Sequence, residues 1–124
     1  MPGSAEIKRL REQAWVGDAI LALFARLYIL ANDGVLDAAK SARLTSNQFL
    51  SAFGEPTAVE ARIGRIYQQQ GLDAALAWIE AELLPRFLDR ETRQRIQRHG
   101  GKAAVSAEAI AGGKPRKRLR NRRR

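Results

Sequence analysis

The sequence predicts an all-α fold: one helical domain over residues 1–99, followed by a disordered basic tail over residues 100–124. Three observations predict it. Apolar residues recur at three- and four-residue steps through most of the first 90 positions, the spacing that one face of a helix requires. No segment alternates apolar and polar residues at a period of two, so no sheet is expected. Glycines, prolines and cap-forming residues divide the periodic stretches into about five to six helices. With 124 residues the chain can build one domain with a modest core.

From Ala5 to Ala31, residues Ile7, Leu10, Ala14, Ile20, Leu21, Phe24, Leu27, Tyr28 and Ala31 mark one helical face, so a long helix or two abutting ones are expected. Asn32-Asp33-Gly34 closes it, because glycine enters the left-handed conformation at no steric cost. Residues 36–43 read as a short second helix. Thr45 or Ser46 can cap a third, running through Phe49 and Leu50 to Gly54. Pro56 marks the start of a fourth, since its missing N–H is no loss in a first turn. That helix carries Val59, Ile63, Ile66 and Tyr67 and stops near Gly71. Asp73 opens a fifth with Leu76, Ala77, Ile79, Leu83 and Leu84, and Pro85 is expected to break or kink it. Residues 89–99 are charged and continue as an exposed helix. Gly100-Gly101 and Gly112-Gly113 bracket an alanine-rich piece beyond which order fades.

Cysteine is absent, which excludes disulfides, thiolate zinc sites and a cysteine nucleophile. No run of apolar residues is long enough to span a bilayer uninterrupted, and the N-terminus lacks a secretory layout, so a cytoplasmic protein without a membrane partner is expected. The chain carries 22 Lys and Arg against 13 Asp and Glu. Eight of the 22 lie in the last eleven residues: Lys114, Arg116, Lys117, Arg118, Arg120, Arg122, Arg123 and Arg124. The rest of the chain is almost neutral. Such a tail cannot bury apolar area, and a polyanion is its expected partner; a nucleic acid would be held in a salt-sensitive, largely sequence-blind way. A solubilising role or attraction to anionic membrane is the alternative.

Two acids stand in apolar surroundings: Asp18 within Trp15-Val16-Gly17-Asp18-Ala19-Ile20-Leu21, and Glu60 beside Ala58, Val59, Ala61 and Ile63. A carboxylate among apolar neighbours is costly unless something cationic meets it. Either both face solvent on amphipathic helices, or they converge into a hard-oxygen site of the kind Mg²⁺ uses. Gly17 is a second anomaly, because glycine inside a helix costs about 1 kcal/mol relative to alanine. His99, the only histidine, lies in a polar segment with no evident partner. Arg86, Arg90, Arg93, Arg95 and Arg98 form either a basic face or a solvated one paired with Asp89 and Glu91. Trp78 sits at a helical core position.

Gly17-Asp18-Ala19-Ile20-Leu21 resembles the signature helix of the ribonuclease III family, and Val59-Glu60-Ala61-Arg62-Ile63-Gly64 resembles that family's later glutamate-containing segment. Between them, Arg43-Leu44-Thr45-Ser46-Asn47-Gln48-Phe49-Leu50 is similar to a third family stretch, and Gly71-Leu72-Asp73-Ala74-Ala75 to the opening of its last domain helix. The resemblance covers residues 8–88, in the family's order. Ala14 and Thr57 stand where most of the family has two further acids, a pairing similar to that of Mini-ribonuclease III, and Phe24-Ala25-Arg26 is also similar to that branch. Only 42 positions separate Asp18 from Glu60, fewer than in either branch, so a helix and a basic loop near the family's site are missing here.

The resemblance implies a ribonuclease-III-like helical domain that cleaves double-stranded or structured RNA, including ribosomal RNA precursors, and leaves a 5′-phosphate. It implies Asp18 and Glu60 as the catalytic carboxylates that bind Mg²⁺, or Mn²⁺ in its place. It also implies a homodimer formed through the signature helix, for which Trp15, Val16 and Ile20 are the candidates; core packing is their alternative role. Two other readings remain, a catalytically inactive RNA-binding module of the same fold, and a helical protein-interaction module tethered to nucleic acid by its tail.

Overall fold

The computed structural model describes residues 3–100, and every described element is helical. The tail residues Lys114, Arg116, Lys117, Arg118, Arg120, Arg122, Arg123 and Arg124 lie outside the described residues, as does the side chain of His99. The elements are α1 (Ser4–Asp33), α2 (Ala38–Leu44), α3 (Asn47–Leu50), a 3-10 turn (Ser51–Phe53), α4 (Pro56–Gln70), α5 (Leu72–Glu82) and α6 (Leu84–Gly100). Four of these are long: α1, α4, α5 and α6. That is fewer than the five to six expected, because α2 and α3 are one- or two-turn connectors.

α1 is a single unbroken helix, about 45 Å long at 1.5 Å per residue. Gly3 N–H donates to Glu6 Oε1 at its start (2.7 Å), and Gly34 ends it in the left-handed conformation (φ 77°), donating to the Leu30 carbonyl (3.1 Å). Asp37 caps α2 by accepting from Lys40 N–H (3.0 Å), and of the two candidates for α3 it is Ser46 that does the capping (3.1 Å). α4 opens at Pro56, with the Glu55 carboxylate accepting from the Thr57 and Ala58 amides (3.2 and 3.0 Å). α5 begins at Leu72, one residue before the expected Asp73, after Gly71 at φ 99°.

The helix breaks just before Pro85, one of the two outcomes expected there. The chain leaves helical pairing at Leu83 and α6 starts at Leu84, so the proline occupies a first turn where no N–H is required. From residue 89 to residue 98 α6 contains no buried residue, as expected of this charged segment. Its first turns bury Leu84 and Phe87, and Leu88 packs against the core.

The core joins Leu21, Phe24 and Ala25 of α1 to Leu44, Phe49 and Leu50, to Val59 and Ile63 of α4, to Ala75 and Ile79 of α5, and to Leu83, Leu84 and Phe87. Full burial of such side chains stabilises the fold by roughly 1.5–3 kcal/mol each. Phe49 lies edge-on to both Phe53 and Phe87 (centroids 5.3 and 5.4 Å apart), fixing the α3 region against α6. Arg43 reinforces that junction by forking onto Glu91, with both N–H···O distances at 2.8 Å. Lys40 pairs with Asp33 (2.9 Å) and ties α2 to the end of α1.

Candidate functional site

The two helices that carry the motif acids cross at close range. A methyl group added to Gly17 would overlap the carbonyl oxygen of Glu60 and lie 3.0 Å from the Gly64 nitrogen; one added to Gly64 would overlap the carbonyl of Gln13. Each helix presents a glycine to the backbone of the other. This resolves the anomaly of Gly17: its helix-propensity cost is offset by a backbone approach that no other residue permits. The signal was present in the sequence as glycines one residue before Asp18 and four after Glu60, yet a helical glycine reads first as a defect.

The crossing fixes the carboxylates. Asp18 and Glu60 lie within hydrogen-bonding reach of one another although 42 positions separate them. Asp18 is exposed and Glu60 half-buried. The Glu60 carboxyl is pushed up to about 7 from 4.5, first by burial, then by its hydrogen bond to Asp18, and then by the negative charges of Asp18 and Glu55. Glu60 therefore holds its proton more tightly than a free carboxyl does. Glu55 was missed in the sequence, where an acid before Pro56 reads only as a cap. It remains the cap of α4, and its charge adds to the negative potential at Glu60.

Such a pair is what a hard divalent cation fits. Excess negative charge at a partly buried carboxylate is relieved by a proton or by a metal, and the exposed Asp18 leaves the pair open to solvent. Ala14 is buried and Thr57 half-buried, and neither supplies a further carboxylate. Among the described residues no group of three or more His, Cys, Asp and Glu side chains assembles.

The three residues expected at a subunit interface separate. Trp15 is 81% exposed, whereas Ile20 is buried in the core and Val16 packs against it, because one turn of α1 carries them toward α4 and α5. Of the two roles open to Ile20, its burial fits core packing. The outward face of α1 instead displays Trp15, Leu23, Leu27 and Leu30. By length and composition α1 is apolar enough to cross a membrane, and 39% of its most apolar stretch is buried within the fold. Trp78 is half-buried beneath the Arg62 guanidinium (5.2 Å from the ring centroid), a packing role. Comparison with family models, with curated proteins and with solved structures found no match to this chain.

Proposed function

We propose that the protein is a metal-dependent endoribonuclease of the ribonuclease III type that acts on double-stranded or structured RNA. The observation that carries the reading is the meeting of Asp18 and Glu60 across the α1–α4 crossing, each within the segment that resembles a family motif. Asp18 and Glu60 would hold Mg²⁺ or Mn²⁺. Such an ion, when bound, activates water and offsets charge on the scissile phosphate. Asp18, open to solvent, presents its carboxylate to the substrate side. Glu60, partly buried on α4, would hold the ion from the other side of the crossing. Duplex RNA is recognised mainly by shape and backbone, which suits a chain with little equipment for base readout.

The subunit arrangement in this reading is a homodimer through the outward face of α1, supported by the row of exposed apolar side chains from Trp15 to Leu30. The basic segment Lys114–Arg124 would add salt-sensitive affinity for the same RNA. A second reading, a ribonuclease-III-like module that binds RNA without cutting it, is favoured by the short interval of 42 positions between Asp18 and Glu60.

The test is incubation of the purified chain with a duplex RNA at low salt, with Mg²⁺, Mn²⁺ or EDTA, beside Asp18→Asn and Glu60→Gln. Metal-dependent cleavage by the parent chain is expected, falling by more than the 10–100-fold typical of outer-shell partners in both variants. Binding without any metal-dependent cut sinks the nuclease reading in favour of the second. Equal cutting by all three chains sinks both assignments of Asp18 and Glu60.

A further inference from the structure

Three arginines on α6 follow one another at steps of four and three: Arg86, Arg90 and Arg93. That spacing stacks them on one side of the helix over about 10 Å of axis. Two of them are held by aromatic rings. The Arg86 guanidinium lies 5.4 Å from the Phe53 centroid and that of Arg90 5.9 Å from the Phe49 centroid. Phe49 is itself wedged edge-on between Phe53 and Phe87, so the platform beneath the guanidiniums is rigid.

The acids nearby do not cancel this charge. Glu91 is drawn away by its two bonds to Arg43, and Asp89 pairs with Arg93 (3.1 Å), offsetting one of the three positive charges. Among the described residues no carboxylate pairs with Arg86 or Arg90. The three arginines and Asp89 line a cleft of about 280 Å³ against Phe49 and Ala52.

We propose that this arginine ladder on α6 grips the phosphodiester backbone of structured RNA. A guanidinium presents a planar fork of donors that matches phosphate oxygens two at a time, and one backed by a ring loses less freedom on binding. Phosphates recur every few ångströms along one duplex strand, so the ladder is long enough to meet more than one of them. The cleft offers no large exposed apolar side chain of the kind that anchors a protein partner, since Phe49 is 1% exposed. The choice of RNA among polyanions rests on the nuclease reading; the ladder itself does not.

The experiment uses the full chain, a labelled RNA duplex and EDTA, so that cleavage plays no part, with affinity followed by anisotropy across a KCl series. Arg86→Gln/Arg90→Gln is expected to weaken binding about tenfold and to lower the salt slope by about two. Arg9→Gln/Arg11→Gln, with the same change in net charge on exposed positions of α1, is expected to do much less. Equal losses in the two double variants overturn the proposal. Should circular dichroism show the α6 double variant unfolded, Arg93→Gln serves in its place, with a slope lower by about one. Polyglutamate that displaces the duplex at equal charge concentration points to an acidic protein instead, and also overturns it. Because affinity is read in EDTA, where no metal-dependent cleavage occurs, loss of gripping and loss of cleavage are told apart.

Discussion

Gly17 lies against the carbonyl of Glu60 so closely that no side chain fits between them. On propensity alone, Gly17→Ala would stabilise α1 by about 1 kcal/mol. The overlap with the α4 backbone reverses the sign, because backbone cannot rotate away as a side chain does. Gly17→Ala and Gly64→Ala are each expected to destabilise by about 3 kcal/mol or more in urea unfolding. A neutral or stabilising outcome would show the helices are farther apart.

Glu60 sets a pH dependence whose sign follows from its raised proton affinity. The folded chain binds this proton more tightly than the unfolded one, so the contribution is complete below about 4.5 and is lost as pH rises through about 7. In EDTA the melting temperature is expected to fall between pH 5 and pH 8 by more than that of Glu60→Gln. The difference amounts to about 1 kcal/mol once screening of this partly exposed side chain is allowed for. Mn²⁺ reverses the trend, stabilising the parent at pH 8 and hardly at pH 5.5, and a parallel response of parent and variant would refute the assignment.

The Arg43–Glu91 fork couples α2 to α6 more strongly than a solvent pair would. Glu91 is only 17% exposed at its side chain, and both N–H donors are engaged. A double-mutant cycle on Arg43→Ala and Glu91→Ala is expected to give a coupling of about 1 kcal/mol. The exposed Lys8–Glu12 pair at 3.9 Å is expected to give almost none. The reverse order would assign the fork to the surface.

Trp15 and Ile20, five residues apart on α1, are expected to respond in opposite ways. Trp15→Glu leaves the melting temperature of the monomer nearly unchanged and shifts sedimentation from dimer to monomer. Ile20→Ala lowers stability by about 2–5 kcal/mol because it empties part of the core. Trp15→Glu chains that sediment as the parent does would remove α1 as the subunit interface.

Much of the helical layout was legible, and for local reasons. Gly34, Ser46, Pro56 and Gly71 act within one turn of their own position, so their residue types alone announce where helices begin and end. Pro85 announces the break between α5 and α6 in the same local way, because its ring is accepted in a first turn and not in a helix interior. For Ile20 the interface and core roles stayed open because α1 is apolar on two sides, and periodicity does not say which side meets the rest of the chain. The convergence of Asp18 and Glu60 was not contained in their spacing. It was expected only because their flanking residues resembled two motifs, while the physical cause, a pair of glycines at a helix crossing, is a contact between distant segments.

The interlocked glycines make the α1–α4 crossing behave as a keyed joint rather than a sliding one. Displacing either helix along its axis by a single residue would drive a Cβ into the opposing main chain, so the gap between the two carboxyl groups is set by the scaffold and closed only by side-chain torsion. Under the metal-dependent reading proposed above, an ion between the two carboxyl groups would be accommodated by rotating Asp18, the more exposed of the two.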